Sequence, residues 1–331
     1  MGKNKKKSLR YYYGINHAHT AFSTGKGTPL EAYKYGMNNG LNFLTITDHN
    51  SYLNKEVYIN SKQVSRWFAS NYAQDKFSKK SDNFIPLIGF ETRTSLYGDF
   101  NIINSNTFFT GVVKDLNVLA LWMINNPDAI ITINHPHKNI LSLNYNEIFN
   151  KIITSIEVGN GSFPNKYTRY EKYYYALLDK GWKLGAINGQ DNHRMNFGDS
   201  ENLTAILTSD LTNEKIINAF RKRQTYSTES RTLKMYFTIN DILMGDIIEQ
   251  NIQKLKFMIY AEDFKVKINQ IDIITNKGII IKKIDSINLN SIKYLYEHER
   301  QPGESWYLVK IYQDNNRIAI SSPIFITKFI R

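Results

Sequence analysis

The chain has 331 residues, of which 42% are hydrophobic and 13% aromatic, values typical of a folded globular protein and not of a disordered one. It contains no cysteine, which excludes disulfides, thiolate metal ligands and a cysteine nucleophile. The formal charge of +12 comes without an arginine-rich stripe or an aromatic RNA-binding signature, so we expect a small anionic substrate rather than a nucleic acid.

The N-terminus, "MGKNKKKSLR", is basic but lacks the apolar stretch of a secretory signal. No run of about 18 apolar residues occurs elsewhere, so we expect no membrane-spanning helix and no membrane partner. The expectation is therefore a cytoplasmic protein that begins with a basic, disordered tail over residues 1–12. The oligomeric state stays open.

The first predicted helix carries recognisable signals at both ends. Thr28, Pro29 and Glu31 form the pattern of a capping box, with Thr28 as N-cap and proline at the first helical position. Gly40 is typical of the position just after a helix. The following apolar run, "LNFLTIT", is β-rich and leads directly into Asp48. This order predicts a helix and then a strand that ends in polar residues.

Further along, helical segments alternate with short apolar strands, and a polar side chain ends each strand. The strands are "FIPLIGF", "AIITIN", "SIEVGN" and "KLGAING", which lead to Glu91, His135, Asn160 and Asp191 in turn. The alternation predicts a parallel α/β architecture. Because active sites in such folds gather at the carboxyl ends of the strands, we expect these polar residues to form one site.

After about residue 230 the pattern changes to strand-like runs with no helix between them. Runs such as "KLKFMIYAE" and "WYLVKIYQ" are separated by turn signals such as "NKG". The change predicts a small all-β sandwich over residues 229–331, which follows an α/β domain over residues 13–228.

Six of the seven histidines lie at predicted strand ends of the first domain: His17, His19, His49, His135, His137 and His193. Two histidines separated by one residue on an extended strand point to the same side and can reach one ion. The pair alone is a weak signal, but acidic residues and further histidines follow at the later strand ends. Together they predict a metal centre with nitrogen and oxygen ligands, which suits Mn, Zn or Fe.

At this point the chain resembles a known family. The motifs "HAHT", "TDHN", the isolated Glu91, "NHPH" and "GQDNH" follow the order found in the PHP (polymerase and histidinol phosphatase) metallohydrolases, over about residues 14–225. The later segments "FRKRQTYST", "TINDILMGD" and "SSPIFIT" resemble the CehA/McbA-like branch, in which a β-sandwich follows the PHP domain. The resemblance implies a distorted seven-stranded (β/α) barrel for the first domain.

The same resemblance implies which residues would hold the metal ions. His17, His19 and Asp191 would bind one ion, and Glu91 would bridge it to a second ion that His135 also binds. The physical logic agrees, because a carboxylate is a natural bridge between two cations and neutral imidazoles can fill the sides.

The remaining candidates would act around these ions. His49 and His193 would serve a third ion or orient water and substrate. Asp48 would fix the tautomer of a ligating histidine, or else cap a helix. His137 and Arg194 would face the substrate, or else be ordinary surface residues.

Two departures from the family pattern concern the third ion. Family members commonly carry Ser-Asp-Gly after the first histidine pair, whereas this chain has Ser23-Thr24-Gly25 and lacks the acidic residue. The position after the fifth strand, often His or Cys in members with three ions, is Asn160, which would ligate more weakly through its carbonyl oxygen. We therefore expect two well-held divalent ions, with a third one weak or absent.

The expected function is a metal-dependent phosphoesterase, in which a hydroxide that bridges two ions attacks a phosphate ester. Because the CehA/McbA-like branch is associated with carboxylic and carbamic esters, an ester hydrolase on the same metal centre is the alternative. A metal-dependent nuclease-like activity and a non-catalytic binding module with a vestigial centre also stay open. Neither a Gly-x-Ser-x-Gly elbow nor a phosphate-binding glycine-rich loop competes with these readings.

Overall fold

The protein structure, a computed structural model, describes residues 9–162 and 164–327. Most of the predicted basic tail, residues 1–8, lies outside the described residues. The predicted tail, residues 1–12, extends too far toward the C-terminus, because the first strand begins at Arg10. Tyr11, Tyr12 and Tyr13 have high β propensity and pair along a neighbouring strand, which accounts for the earlier start.

The described residues up to Thr228 form an α/β part. Its helices are α1 Pro29–Asn38, α2 Arg66–Ser78, α3 Leu116–Ile124, α4 Glu147–Ile152, α5 Glu171–Asp179 and α6 Asn213–Arg221. Its strands are β1 Arg10–Ile15, β2 Phe43–Ile46, β3 Glu56–Ile59, β4 Lys62–Ser65, β5 Ile85–Thr94, β6 Gly98–Ile103, β7 Ile130–Ile133, β8 Ile153–Asn160, β9 Thr168–Arg169, β10 Gly185–Gly189, β11 Leu203–Thr208 and β12 Thr225–Thr228.

Helix α1 confirms the predicted capping box. The Glu31 backbone N–H donates to Thr28 Oγ1 at 3.3 Å, and the Thr28 backbone N–H donates to Glu31 Oε2 at 2.7 Å. Pro29 occupies the first turn, where its missing N–H costs no hydrogen bond. Gly40, just past the helix, has a φ of +77°, a conformation that glycine adopts without strain.

The sheet of the α/β part is mixed, not parallel throughout. Its strand order is β10-β8-β7-β6-β5-β2-β1-β11-β12. Strands β1, β2 and β5 run parallel, as do β7, β8 and β10, but β6 is antiparallel to both of its neighbours and β11 is antiparallel to β1. The prediction of a parallel sheet is wrong at β6. Only three residues connect β5 to β6, which is enough for an antiparallel hairpin but too short for the crossover that a parallel pair needs.

The two ends of this sheet approach each other through side chains. Thr225 Oγ1 of β12 donates to the Ala186 carbonyl of β10 at 3.0 Å, and Asn188 Nδ2 of β10 donates to the Thr228 carbonyl at 2.9 Å. The backbone ladder itself is open between β10 and β12, since the described strand order starts at β10. The mixed α/β architecture is therefore observed, whereas the seven-stranded barrel stays a prediction.

The rest of the described chain is all-β, as predicted. Its strands are β13 Lys234–Ile239, β14 Ile242–Leu243, β15 Ile247–Ile248, β16 Lys254–Glu262, β17 Ile268–Thr275, β18 Ile279–Ile284, β19 Ser291–Glu299, β20 Trp306–Gln313, β21 Ile318–Ser321 and β22 Ile324–Ile326. Strands β14-β13-β16-β19 form a separate antiparallel sheet. This sheet packs through Met235, Phe237 and Ile259 against Ile273 and Val309 of the facing sheet, so the two sheets enclose an apolar core.

The facing sheet is continuous with the sheet of the α/β part. Strand β21 pairs with β12 in antiparallel register, and β20, β17 and β18 follow. Its other surface places Trp306, Leu308 and Ile320 in one apolar cluster with Leu177 and Trp182 of the first part. The predicted boundary at residues 228 and 229 therefore falls between two regions that share a sheet and a core.

No helix among the described residues has the length and apolarity needed to span a bilayer.

Candidate metal centre

Seven side chains from the ends of neighbouring strands converge at one edge of the mixed sheet. His17 and His19 follow β1, His49 follows β2, Glu91 lies in β5, His135 follows β7, and Asp191 and His193 follow β10. They form three groups of close ligand atoms: His17, His19 and Asp191; His17, Glu91 and His135; and His19, His49 and His193. The structure thus brings together all the histidines and acidic residues that were predicted as metal ligands.

Glu91 is the shared member at the middle of the centre. Its Oε1 lies 3.3 Å from His17 Nε2 and 3.3 Å from His135 Nε2. Its Oε2 lies 3.3 Å from His19 Nε2 and 3.0 Å from His49 Nδ1. Glu91 lies within β5 and not just beyond it, because β5 continues as a hairpin with β6. Each oxygen therefore faces a different pair of histidines.

His17, His19 and Asp191 form the most enclosed group. Both imidazoles are fully buried, and their Nε2 atoms are 3.2 Å apart. Asp191 Oδ1 lies 3.3 Å from His17 Nε2 and 3.1 Å from His19 Nε2. The neutral-nitrogen and carboxylate-oxygen donors, all within reach of one point, fit a divalent cation such as Zn, Mn or Fe.

The third group is more open and has no carboxylate of its own. It comprises His19, His49 and His193, and the last two side chains are about one-third exposed. Thr24, an uncharged residue, lines the cleft beside His49. Without a carboxylate among its members, this group offers a cation less negative charge than the other two groups do.

Two residues of the centre adopt backbone conformations that side chains other than glycine rarely take. His135 has a φ of +23° and Asp191 a φ of +48°. The Asp191 backbone N–H donates to the His17 carbonyl at 3.0 Å, which holds the second of these residues against the first strand end. Such strain is concentrated at functional sites and persists only where surrounding contacts enforce it.

The close carboxylates change the pKa values of the histidines. Burial would lower the pKa of His17, but Asp191, Glu91 and Glu157 outweigh it and hold the pKa well above its ordinary value. Hydrogen bonds that the His19 ring donates to Asp191 and Glu91 likewise overcome burial and raise the pKa of His19 to about 9. The carboxylates therefore favour positive charge at this position, which is where a bound cation would place its own charge.

His193 differs from the other histidines of the centre. Burial and the neighbouring charge of His19 lower its pKa from the ordinary value. Its Nδ1 lies 2.9 Å from the Asp191 carbonyl oxygen. The His193 imidazole is therefore neutral at neutral pH, and its Nδ1–H donates to the Asp191 carbonyl.

Asp48 supports His19 through a serine. It is buried and accepts hydrogen bonds from the Thr20 backbone N–H at 2.8 Å, from Thr20 Oγ1 at 2.6 Å and from Ser23 Oγ. Because the Ser23 hydroxyl proton is given to Asp48, Ser23 Oγ accepts from His19 Nδ1, which lies 3.3 Å away. Asp48 therefore reaches His19 only through Ser23, and its tautomer-fixing role stays a prediction. The helix-cap alternative is wrong because His49 is the N-cap of the short helix that follows.

Glu157 is a functional candidate that sequence reasoning missed. It is fully buried in β8, and its Oε1 lies 2.8 Å from His17 Nδ1. The only available signal was a lone acidic residue inside an otherwise apolar and small-residue strand, "ITSIEVGN". Asn160, predicted as a weak metal ligand, donates its amide hydrogen to Glu157 Oε2 at 2.6 Å and belongs to this support behind His17.

His137 and Arg194 are not brought into the centre by the contacts described. His137 is exposed and accepts from the Asn139 backbone N–H at 3.3 Å, which makes it the N-cap of a short helical turn. Arg194 is exposed and does not line the cleft described next. Both residues lie next to ligand-bearing segments, and their proposed substrate contacts stay predictions.

A cleft of about 340 Å³ opens beside His49 and Glu91. Arg93, two residues after Glu91 on β5, lies on its wall, with its Nε 3.4 Å from Asp99 Oδ1. The Arg93 side chain is 74% exposed, so it keeps guanidinium donors free for a ligand. Tyr52 and Val112 supply aromatic and aliphatic surface to the same cleft.

No protein-family model matches the sequence, and no curated protein matches it. Among solved structures, a two-domain protein from Bacteroides vulgatus, described as containing a predicted PHP-like metal-dependent phosphoesterase, matches with a TM-score of 0.53 and 16% identity. That match covers 94% of this chain and 95% of the other. At this identity it establishes a shared two-domain fold alone.

Two further solved structures are similar over part of the chain. A protein from Bifidobacterium adolescentis, named as a metal-dependent phosphoesterase, has a TM-score of 0.36 and 13% identity, over 54% of this chain and 87% of its own. An amidohydrolase from Chromobacterium violaceum has a TM-score of 0.37 and 12% identity, over 62% of this chain and 95% of its own. TM-scores this low do not establish a shared fold with this chain.

Proposed function

We propose that the chain is a metal-dependent phosphoesterase with a centre for two divalent ions. The observation that carries the proposal is the position of the Glu91 carboxylate between the histidines. Its two oxygens face different pairs of histidines at 3.0–3.3 Å. A carboxylate placed this way can ligate one cation through each oxygen. Asp191 and the two buried histidines complete the ligand set of the first ion.

Two ions suit this ligand set better than three. His17 and His19 each belong to two of the three groups, yet each has its Nδ1 engaged in a hydrogen bond and offers Nε2 alone. Because a ring nitrogen binds only one cation, the three groups cannot each hold an ion with all three of their residues.

The ligands are nitrogen and oxygen atoms only, which suits Mn, Zn or Fe. When bound, such ions would supply a water of lowered pKa and neutralise the charge that develops on a phosphoryl group. His49 and His193 are the most exposed histidines of the centre, so we assign them contact with the attacking water or the substrate. His193, neutral because its pKa is lowered, can accept a hydrogen bond there.

We propose a small phosphorylated molecule as substrate. Arg93 is the cation on the wall of the cleft, and a guanidinium with free donors is well suited to the oxygens of a phosphate group. The cleft volume of about 340 Å³ fits a compact substrate.

The shared fold supports the same class of activity. The Bacteroides vulgatus protein, whose description names a predicted metal-dependent phosphoesterase, aligns over both parts of this chain. The barrel arrangement and the CehA/McbA-like branch belong to this proposal as well. They rest on the sequence motifs quoted above and on the approach of β10 to β12.

A substrate panel tests the proposal. Protein loaded with Mn²⁺ or Zn²⁺ is incubated with an aryl phosphate, a bis(aryl) phosphate, an aryl carboxylate ester and single-stranded DNA. Release of inorganic phosphate or of the aryl alcohol from a phosphate ester, abolished by His17→Ala, supports the phosphoesterase. Cleavage of the carboxylate ester with no action on either phosphate would instead favour the ester hydrolase, and cleavage of DNA alone the nuclease.

A further inference from the structure

Glu157 is a buried carboxylate that the proposed chemistry does not use. It lies in β8 with no solvent exposure, in a strand whose other residues are uncharged. A buried ionised carboxylate costs several kcal/mol unless hydrogen bonds satisfy it. The hydrogen-bond partners of the Glu157 carboxylate therefore indicate what this residue does.

One oxygen of Glu157 faces the first metal-ligand candidate. Glu157 Oε1 lies 2.8 Å from His17 Nδ1, and an ionised carboxylate can only accept a hydrogen bond. His17 Nδ1 must therefore carry the proton, which leaves Nε2 as the ligating atom once the imidazole is neutral. That Nε2 is the atom that faces Asp191 and Glu91, at 3.3 Å from each.

The other oxygen holds the second ligand segment. Glu157 Oε2 accepts from the His135 backbone N–H at 2.6 Å and from Asn160 Nδ2 at 2.6 Å. His135 is the residue with a φ of +23°, so this hydrogen bond contributes to holding its backbone in a rarely adopted conformation. The same carboxylate thus contacts ligands that come from the ends of two different strands.

The neighbouring strand leaves room for Glu157. A Cβ atom added to Gly189 of β10 would lie 2.0 Å from Glu157 Oε1, far inside van der Waals contact. Glycine at this position therefore permits the carboxylate to occupy the space behind His17. Three strands cooperate in the arrangement, with the carboxylate on β8, the histidine after β1 and the glycine on β10.

We propose that Glu157 is the positioning residue of the metal centre, which fixes the tautomer of His17 and the backbone of His135 together. The inference rests on the proposed metal-binding function and goes beyond the ligand set itself. Its loss should weaken cation binding by about 10- to 100-fold although no ligand is removed, as for other groups that orient metal-bound histidines.

Glu157→Gln is the informative variant because it keeps the size and removes the charge. If the amide oxygen faces His17, the amide NH₂ opposes the N–H of His135 and the donor of Asn160. If the amide is turned over, its NH₂ faces His17 Nδ1 and forces the proton to Nε2, which then cannot ligate. Either orientation disrupts one of the two ligands.

The experiment measures Zn²⁺ affinity of the full chain by competition with a chromophoric chelator, together with long-range ¹H–¹⁵N spectra of the Zn²⁺-loaded protein. Wild type should show His17 with a protonated Nδ1, and E157Q should bind Zn²⁺ about 10- to 100-fold more weakly with an altered His17 pattern. Glu147→Gln, the same change at an exposed position on α4, is the matched control and should bind as wild type does.

A milder variant covers the case in which E157Q does not fold. Asn160→Ser removes one of the hydrogen bonds to Glu157 Oε2 and should weaken Zn²⁺ binding about fivefold. Wild-type affinity in a folded E157Q, or in N160S where E157Q is unfolded, overturns the inference while the metal centre stands. Failure of wild type itself to bind Zn²⁺ would overturn the proposed function as well.

Discussion

Glu91 and His49 are linked twice, through a backbone bridge between their strand segments and through a side-chain contact of 3.0 Å between Glu91 Oε2 and His49 Nδ1. The bridge joins the segment after β2 to β5, so neither side chain can move away without disturbing the sheet edge. It brings the more exposed side of the metal centre next to Glu91, the more buried of its two candidate carboxylate ligands. The cleft for the proposed substrate opens at this contact.

Glu91→Gln should cost more activity than any other single substitution in the centre. The change removes the charge and one ligand oxygen from the residue proposed to contact both ions, so both should be held less tightly. We expect a fall in kcat/KM of more than about 100-fold on an aryl phosphate, because even groups that only orient ligands cost 10- to 100-fold. Metal content by mass spectrometry should fall in parallel.

Glu56→Gln, on the exposed hairpin of β3 and β4, is the control for this substitution and should leave both readouts unchanged. His49→Ala should cost less than E91Q, since His49 belongs to a single ligand group. Wild-type turnover in E91Q would contradict the proposed two-ion centre.

The stability of the metal-free protein should depend on pH through His19. Its pKa is raised from 6.5 to about 9 in the folded state, so its protonated form stabilises the fold fully below pH 6.5. That contribution is lost as the pH rises through 9, and its size is on the order of 3 kcal/mol.

Chemical denaturation of chelator-treated wild type and His19→Gln between pH 6 and 9.5 measures this contribution. The difference in the free energy of unfolding between the two proteins should shrink as the pH rises. A difference that is constant across this range would show that His19 is not protonated in the folded, metal-free protein.

Arg93→Met should raise KM for a phosphate ester about tenfold and leave kcat nearly unchanged, because a charge-assisted hydrogen bond to an exposed anion is worth little more than 1 kcal/mol. Arg194→Met is the comparison, since Arg194 does not line the cleft. We expect its KM to stay within about twofold of wild type. The opposite ranking in steady-state kinetics would assign substrate binding to Arg194 instead.

A fragment that ends at residue 228 should not fold stably. Strand β12 would lose its partner β21, and Trp182 and Leu177 would lose the apolar contacts that Trp306 and Leu308 provide. We expect the fragment to aggregate or to unfold without a cooperative transition in calorimetry. A monomeric fragment with a thermal midpoint equal to that of the full chain would show that the α/β part is independent.

The convergence of the candidate metal ligands could be predicted from the sequence because their signal is local. His17 and His19 share one side of an extended segment, and Asp191 and His193 repeat this spacing after another strand. The capping box of α1 was equally local, with Thr28 and Glu31 three residues apart. In each case the chemistry is fixed by neighbours in the chain.

Features that depend on distant residues were missed or only partly predicted. Glu157 contacts His17 across 140 residues of chain, and nothing in "SIEVGN" indicates which strand lies opposite. The direction of β6 and the pairing of β21 with β12 are likewise set by tertiary packing, since alternation of apolar residues does not encode strand direction. Ser23 as the link between Asp48 and His19 required a loop conformation that the sequence does not specify.

The number of divalent ions bound per chain tests the central claim most directly. Wild type and His17→Ala are stripped of metal, reconstituted with Mn²⁺ or Zn²⁺ and analysed by native mass spectrometry. The two-ion centre predicts about two ions in wild type and about one in H17A, because the single free nitrogen of His17, Nε2, can ligate only one of the two ions. Fewer than one ion in wild type, unchanged by H17A, would contradict it.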